Sequence, residues 1–216
     1  MFTKILLSLS TAVVLLAGAA SADTEAMAWT DLNMRSGPGP MYSILGVIPA
    51  NGAVTVQGCV ADASWCTVTH EGVTGWAAGN YLTANIENAP IALAAGDKRV
   101  ILNTVTYDNT DASAAGGLAA GAIAGALIAG PVGAAVGAIV GTGAGAAVAP
   151  DPRVITYIQS NPVEQIYLDG EIVVGAGIPD TIMLAPVPDS EYSYAYVNGV
   201  PVLVETDKRT VTYIVR

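Results

Sequence analysis

Few side chains in this chain could perform acid–base or nucleophilic chemistry. The sequence has one histidine, His70, and two cysteines, Cys59 and Cys66. A catalytic zinc site takes three protein ligands, often two or three of them histidines, so the usual set cannot be assembled. His70 would also have to be the base of any Ser-His or Cys-His pair, and it stands beside a predicted turn, where solvent exposure is expected. The sequence therefore argues against zinc-dependent and nucleophilic hydrolysis.

Paired carboxylates are the remaining hydrolytic arrangement. Glu164 pairs with Asp169 or Glu171 along the sequence, and Asp189 pairs with Glu191. We expect these acids to lie in turns and loops, where solvation gives no raised pKa for a general acid. The sequence also has no P-loop and no convincing dinucleotide fingerprint. We therefore expect a non-enzymatic protein without a cofactor or a bound metal.

The two cysteines are spaced for a bridged hairpin. In TVQGCVADASWCTV the turn ADAS separates two alternating runs, and a register that places Val60 opposite Trp65 also places Cys59 opposite Cys66. Directly opposed residues in a non-hydrogen-bonded antiparallel pair have Cα atoms about 4.5 Å apart, which a disulfide accepts. This predicts a Cys59–Cys66 disulfide. A second turn at Glu71-Gly72 folds Thr67–His70 onto Val73–Trp76.

The first 22 residues have the features of a secretory signal. Lys4 precedes an apolar run, and Ala20 and Ala22 form an A-x-A cleavage site. Because Lys4 is the only charged residue there, cleavage takes the formal net charge from −10 to −11. Such an acidic chain repels phosphate backbones, so nucleic acid is not an expected partner. The location predicted is periplasmic or otherwise extracytoplasmic.

The residues from Ala28 to Leu82 carry a set of ordered motifs. LNMRSGPG is followed by WC, then GVTGW, then NYL. This order resembles the bacterial SH3-like (SH3b) family, which implies a small, partly open β-barrel at residues 27–83. Members of this family commonly bind cell-wall peptides or glycans, so the resemblance implies an envelope-directed binding role.

The SH3b resemblance also supplies candidate ligand-binding residues. It implies that Arg35 projects into the loop Ser36–Pro40, where its guanidinium can brace several loop carbonyls. That structural role is preferred to ligand contact, and core or rim packing is preferred for the two tryptophans. The candidate ligand contacts are Arg35, Tyr42, Trp65, Trp76 and Tyr81.

The last third of the chain returns to β-type alternation. Asp169-Gly170 and Asn198-Gly199 stand between strand-forming runs and predict two tight hairpins, because Asx-Gly adopts positive φ at low cost. A final strand, Thr210–Val215, follows the polar turn Thr206–Arg209, and Pro201 is expected at a strand start or edge. The region Arg153–Arg216 resembles a family of C-terminal domains of unknown function from secreted proteins of proteobacteria, which implies no activity.

Between the two β regions lies a tract of glycine, alanine and aliphatic residues. Small residues recur every fourth position on both sides of Gly130-Pro131, which predicts an α-helical hairpin at residues 112–149 resembling a glycine zipper. The hairpin would associate with a membrane or with copies of itself; a flexible linker fits least, because linkers seldom carry regular aliphatics. The zipper glycines are Gly117, Gly121, Gly125, Gly133, Gly137, Gly141 and Gly145.

These observations predict a mainly β protein with one helical insertion. The expected order is a signal at residues 1–22, the SH3-like barrel at 27–83, and a linker at 84–111 with one strand-like run, Arg99–Tyr107. The helical hairpin at 112–149 and a small antiparallel unit of about five strands at 151–216 follow. The predicted function is cell-envelope binding, with peptidoglycan or an envelope protein as partner and membrane association through the zipper. The alternative is a periplasmic assembly factor that forms homo-oligomers through the zipper.

Overall fold

A computed structural model describes residues 23–87, 89–107 and 149–216, together with the backbone of a strand at Ala122–Leu127. The predicted signal segment and the rest of the predicted zipper hairpin lie outside the described residues. Over Ala122–Leu127 the backbone is a β-strand, which differs from the helix expected there. In the described part of the chain, no helix has the length and apolar character needed to cross a membrane.

The N-terminal unit is one curved, antiparallel sheet of short strands. Their order across the sheet is β3-β2-β6-β5-β4-β1-β7-β8. Strands of four to seven residues joined by tight turns are what a small barrel requires, so this part of the expected fold is confirmed. The strands are β1 Thr24–Ala28, β2 Leu32–Arg35, β3 Ile44–Ile48, β4 Ala53–Cys59, β5 Trp65–His70, β6 Val73–Ala78, β7 Leu82–Ile86 and β8 Ala89–Ala92.

Both hairpins predicted around the cysteines are present. Cys59 on β4 pairs directly with Cys66 on β5, and the two form a disulfide with a Cα–Cα distance of 3.9 Å. The turn between β5 and β6 has Glu71 and Gly72 at φ 48° and 81°, as a two-residue hairpin turn requires. His70 is half-buried rather than exposed, because its Nδ1 lies 2.8 Å from the carbonyl oxygen of Ala53.

The run Arg99–Tyr107 is not a regular strand, contrary to the sequence expectation. Arg99 and Val100 lie in a turn and a bend, and the rest of the run has no regular secondary structure apart from one isolated bridge to β4, Cys59 to Thr104. Because β1 pairs only with the first half of β4, the backbone groups of Cys59 remain for Asn103 and Val105, at 2.8 and 2.9 Å. A Cβ at Gly58 would lie 2.7 Å from the side chain of Val105, so this close approach requires glycine.

The C-terminal unit is a mixed sheet with one helix packed on it. The strand order is β14-β13-β12-β10-β9, and β11 pairs with Ser193 and Tyr194 of β12, next to the two β12 residues that pair with β10. Strands β11 to β14 pair antiparallel, but β10 runs parallel to β12. The elements are β9 Ala122–Leu127, α1 Pro152–Ser160, β10 Gln165–Asp169, β11 Ala185–Pro186, β12 Tyr192–Val197, β13 Val200–Glu205 and β14 Thr210–Ile214.

Helix α1 was not anticipated, although the sequence carries its start signal. The Asp151 side chain caps the helix by accepting from the Arg153 N–H at 2.9 Å, and Pro152 occupies the first helical position. The helix buries Ile158 against Tyr194, Leu203 and other sheet residues in a small separate cluster. It therefore covers one face of the C-terminal sheet.

One of the two predicted Asx-Gly hairpins is correct and the other is wrong. Asn198 and Gly199, at φ 51° and 88°, connect β12 and β13, and β14 follows the predicted polar turn. After Asp169-Gly170, however, the chain does not return along β10. The side-chain oxygen of Asn198 accepts from the Leu168 N–H at 2.8 Å and its amide donates to the Gly170 carbonyl at 2.9 Å, so the β10 end is held from β12 instead.

The two units share one hydrophobic core. Buried side chains from the N-terminal sheet, such as Leu32 and Leu82, belong to the same contiguous cluster as Leu168, Ile172 and Val202 from the C-terminal unit. The regions that sequence analysis separated by more than sixty residues of linker and zipper are therefore packed against each other. Their junction is where the candidate site lies.

We expect the disulfide to stabilise the N-terminal unit modestly. Replacing both cysteines with alanine should lower the free energy of unfolding by about 2 kcal/mol. The value is small because the two bridged cysteines are only 7 positions apart in the sequence. Urea unfolding with and without reductant measures this effect. The double variant should be insensitive to reductant, and a loss far above this value would show that the bridge does more than restrict the unfolded chain.

Candidate functional site

The guanidinium of Arg35 is buried and fully hydrogen-bonded. Arg35 ends β2 and is 1% exposed. Its Nη1 donates to the carbonyl oxygens of Pro40 and Tyr42, both at 2.8 Å. Its Nη2 donates to Asn198 O at 2.9 Å and to Glu171 Oε1 at 2.8 Å, and its Nε donates to Glu171 Oε2. All five N–H donors of the side chain are thus used.

Glu171 is the matching acceptor from the C-terminal unit. The residue is fully buried, and Asn33 Nδ2 and the Ile172 N–H each donate to Oε1 at 3.0 Å. Arginine and carboxylate form a bidentate pair of good geometry when both are held rigidly. Our expectation that Glu171 is a solvated turn acid is wrong, because the left-handed turn at Gly170 directs it inward.

This buried ion pair joins the two units, and its stability depends on both partners being present. Two charges removed from water are tolerated only if they are paired and their remaining hydrogen bonds are met. Deleting either partner would leave an uncompensated buried charge, a change that typically costs about 3–5 kcal/mol. The brace predicted for Arg35 is seen in its bonds to the loop, but more than half of its hydrogen bonds go to the C-terminal unit.

A second arginine lies at the same junction. Arg216 Nη1 is 3.9 Å from an Asp31 oxygen, and Nη2 is 3.5 Å from Asn33 Oδ1. Burial lowers the pKa of Arg216, whereas Asp31 and Glu171 oppose this effect. Positive charge from the C-terminal end therefore adds to that of Arg35 around Glu171.

Tyr81 closes the buried side of this junction. It is 6% exposed, its hydroxyl donates to the Glu171 carbonyl at 3.4 Å, and its ring lies 5.3 Å from that of Trp29. Burial, and secondarily the negative charge of Glu171, raise the pKa of Tyr81 to about 12. Tyr81 is thus an interior residue and not a surface contact.

An aromatic cluster of Tyr42, Trp76 and Tyr107 lies on the accessible side of the N-terminal unit. The Tyr107 ring stands edge-on to both others, with centroids 5.6 Å from Tyr42 and 5.5 Å from Trp76. All three rings are partly exposed. Burial raises the pKa of Tyr42, and Tyr107 adds to this shift. Edge-to-face packing holds the rings while leaving part of their surface accessible.

The five sequence-predicted ligand residues therefore separate into two groups. Arg35, Trp65 and Tyr81 are buried, with Trp65 7% exposed opposite Ala78 on β6. Tyr42 and Trp76 are partly exposed and meet at Tyr107. Surface ligand contact consequently stays a prediction for Tyr42 and Trp76, and the packing role preferred for Trp65 agrees with its position.

Sequence reasoning missed Tyr107, Glu171 and Asn198. The sequence placed Tyr107 in a linker strand and gave no signal that this segment would pair beside β4. Glu171 has one usable signal, since the three residues after it, Ile172–Val174, are apolar, and Ile172 and Val173 are buried. Asn198 was recognised as a turn residue, but its side-chain bonds to β10 depend on strand pairing that the sequence does not reveal.

The other carboxylates do not converge on a reactive centre. Glu164, Asp169, Asp189 and Glu191 are exposed. Within the described residues, no three His, Cys, Asp or Glu side chains are grouped as metal ligands. An open cleft of about 860 Å³ lies beside α1, lined in part by Asp151, Arg153, Tyr157, Asp189 and Tyr192. Arg153 lowers the pKa of Asp151 to about 2 through a side-chain hydrogen bond, so this acid stays ionised.

Comparisons with known proteins match both β regions. A family model described as bacterial SH3 domain matches residues 30–83, and one described as a domain of unknown function (DUF1236) matches residues 157–216. A putative N-acetylmuramoyl-L-alanine amidase, YrvJ, from Bacillus subtilis (strain 168) is 34% identical over 64 residues, which cover 30% of this chain and 12% of that protein. No solved structure matches the chain.

Tyr81 should make the fold sensitive to alkali. In the unfolded chain its hydroxyl ionises near pH 10, whereas in the folded protein it stays protonated to about pH 12. Stability from this group is complete below pH 10 and is lost as the pH rises towards 12, by at most about 3 kcal/mol. Urea unfolding at pH 9 and 11.5 should show a larger loss for the native protein than for Tyr81→Phe. Equal losses would contradict the raised pKa.

Proposed function

We propose that this chain, which contains a bacterial SH3 domain at residues 30–83 and a C-terminal domain of unknown function at residues 157–216, is a non-catalytic binding protein of the bacterial cell envelope. Its SH3 domain contacts the cell wall, and its location is extracytoplasmic. The observation that carries the proposal is the partly exposed cluster of Tyr42, Trp76 and Tyr107, in which Tyr42 belongs to the loop Ser36–Ser43.

The cluster suits a ligand with both apolar and polar surface. Aromatic faces supply contact area at low entropic cost, and tyrosine hydroxyls and the indole N–H supply hydrogen bonds. Sugar rings and short peptides of peptidoglycan have this mixed character. The similarity to a wall amidase supports the same ligand class, because the matched stretch has the length of one SH3 domain.

A binding role fits the chain better than hydrolysis. The similarity to the amidase covers 12% of that protein, so its named activity does not come with the match. Among the described residues of the C-terminal domain, Glu164, Asp169 and the Asp189–Glu191 loop are exposed, and the buried acid, Glu171, is committed to Arg35. Glu171 also has no exposed surface with which to reach a substrate.

Cosedimentation with purified peptidoglycan sacculi tests the proposed ligand. The mature protein should pellet with sacculi, and Tyr42→Ala and Trp76→Ala should each weaken binding by roughly tenfold, the scale of losing one well-packed aromatic contact. Tyr167→Ala removes a partly exposed tyrosine of the C-terminal domain and should bind like the native protein. Native protein that stays in the supernatant would refute wall binding.

The zipper glycines support a second component of the proposal. Gly125 lies in the strand Ala122–Leu127, so this component rests on the four-residue spacing of Gly133, Gly137, Gly141 and Gly145, which fits a segment that associates with a membrane or with a second copy of the chain. The alternative function, a periplasmic assembly factor, relies on the same segment as a self-association element.

Carbonate extraction of membranes separates these two roles. The intact mature protein should remain in the membrane pellet, and a variant lacking residues 112–149 should become soluble. If both are soluble and the intact protein elutes as an oligomer that the deletion reduces to a monomer, the assembly role replaces membrane association.

A further inference from the structure

We propose that Glu171 of the C-terminal domain is a positioning residue for the SH3 domain's ligand loop, Ser36–Ser43. It acts through Arg35, whose guanidinium ties this loop to the C-terminal domain. The proposal deepens the proposed function and rests on it for the identity of the ligand. In this view the C-terminal domain is part of the wall-binding apparatus, although it supplies no ligand contact at the aromatic cluster.

The first step is that Arg35 has no freedom of its own. Three of its five hydrogen bonds go to the C-terminal domain, to the two oxygens of Glu171 and to Asn198 O. The guanidinium is planar and rigid, so fixing its Nε and Nη2 also fixes the direction of Nη1. The position of Nη1 is therefore set from the C-terminal side.

The second step is that Nη1 fixes the loop. It holds the carbonyls of Pro40 and Tyr42, on either side of Met41, at 2.8 Å each. Backbone bonds from Ser36 N to Ser43 O and from Tyr42 N to Gly39 O close the loop on itself. These internal bonds fix the shape of the loop, and the two bonds to Arg35 fix its position relative to the sheet.

The third step connects the loop to the aromatic cluster. The Tyr42 ring lies over Gly37, where an added Cβ would be 2.4 Å from a ring carbon, and it packs edge-on against Tyr107. The position of Trp76 is fixed by the sheet, because Trp76 on β6 is the strand partner of Arg35 on β2. A displacement of Pro40–Tyr42 therefore moves one wall of the cluster relative to the other.

Glu171 cannot act on a ligand directly, because the residue has no exposed surface. Any effect of its substitution on binding must pass through the groups that it touches: Arg35, Asn33, Ile172 and Tyr81. A neutral glutamine would offer one acceptor oxygen where the native carboxylate has two. The guanidinium would then lose its counter-ion and one bond, and its two loop bonds would be free to shift.

Two variants and two controls test the proposal in the intact mature protein. Glu171→Gln removes the charge, and Glu171→Asp keeps the charge but shortens the reach, so it carries the test if the glutamine variant does not fold. Asp180→Asn removes an exposed carboxylate that pairs with Arg209 at 3.2 Å. Leu203→Ala weakens the separate core under α1 and controls for loss of stability alone.

The first readout is independent of any ligand. Backbone amide resonances of residues 36–43 and the indole resonance of Trp76 should shift in both Glu171 variants and stay in place in both controls. Unmoved loop resonances in a folded Glu171 variant overturn the proposal, and so do equal shifts in Leu203→Ala, since they would reflect general loosening.

The second readout is binding to sacculi. Both Glu171 variants should bind more weakly, by roughly tenfold, within the range usual for coupled sites. Unchanged binding by a variant with a displaced loop, while Trp76→Ala weakens binding, overturns the link between loop and ligand. If the native protein does not bind sacculi, wall binding is refuted, and the loop resonances alone decide whether Glu171 positions the loop.

Discussion

The buried pair of Arg35 and Glu171 is the constraint around which the described structure is organised. Neither charge has access to water, so each must find its full set of partners inside the protein. The carbonyls of Pro40, Tyr42 and Asn198 satisfy Arg35, and Asn33 and Ile172 complete Glu171. Loop 36–43, the turn at Gly170 and the β12–β13 turn are consequently held in place by one electrostatic requirement.

This pair also explains why two regions recognised as separate families form one body. Within the SH3 region alone, Arg35 has its bonds to Pro40 and Tyr42 but no counter-ion. Here the C-terminal domain covers it and supplies its counter-ion, and apolar side chains from both regions merge into one core. A buried charge pair is weak evidence for stability, but it specifies the docking geometry closely, because a shifted arrangement would leave an unpaired charge.

The sequence predicted those features that depend on neighbouring residues. The Cys59–Cys66 pairing, the Glu71-Gly72 and Asn198-Gly199 turns and the SH3 motifs all follow from local spacing, and they are confirmed. The Asp169-Gly170 hairpin failed because β10 pairs in parallel with β12, a choice made by tertiary packing. Of the candidate ligand residues, type and motif alone could not separate the buried Arg35, Trp65 and Tyr81 from the accessible Tyr42 and Trp76.

The features that the sequence did not reveal are long-range ones. Glu171 meets Arg35 across 136 positions, and Tyr107 meets Trp76 through a segment that leaves the sheet and returns over β4. Neither contact has a local pattern. The missed helix α1 is different, because Asp151 and Pro152 form a recognisable start, and only the β-branched residues after it suggested a strand.

The pairing of residues 101–107 beside β4 fixes where the chain lies before the glycine-rich tract. Asn103 and Val105 are bound to Cys59, and Tyr107 is packed into the aromatic cluster, so the chain lies at the proposed wall-binding face just before its glycine-rich sequence. A partner that bound the start of that sequence would be linked to this face by only a few residues. For such a partner, the effective concentration at the proposed wall ligand would be set by this short span of chain instead of by free diffusion.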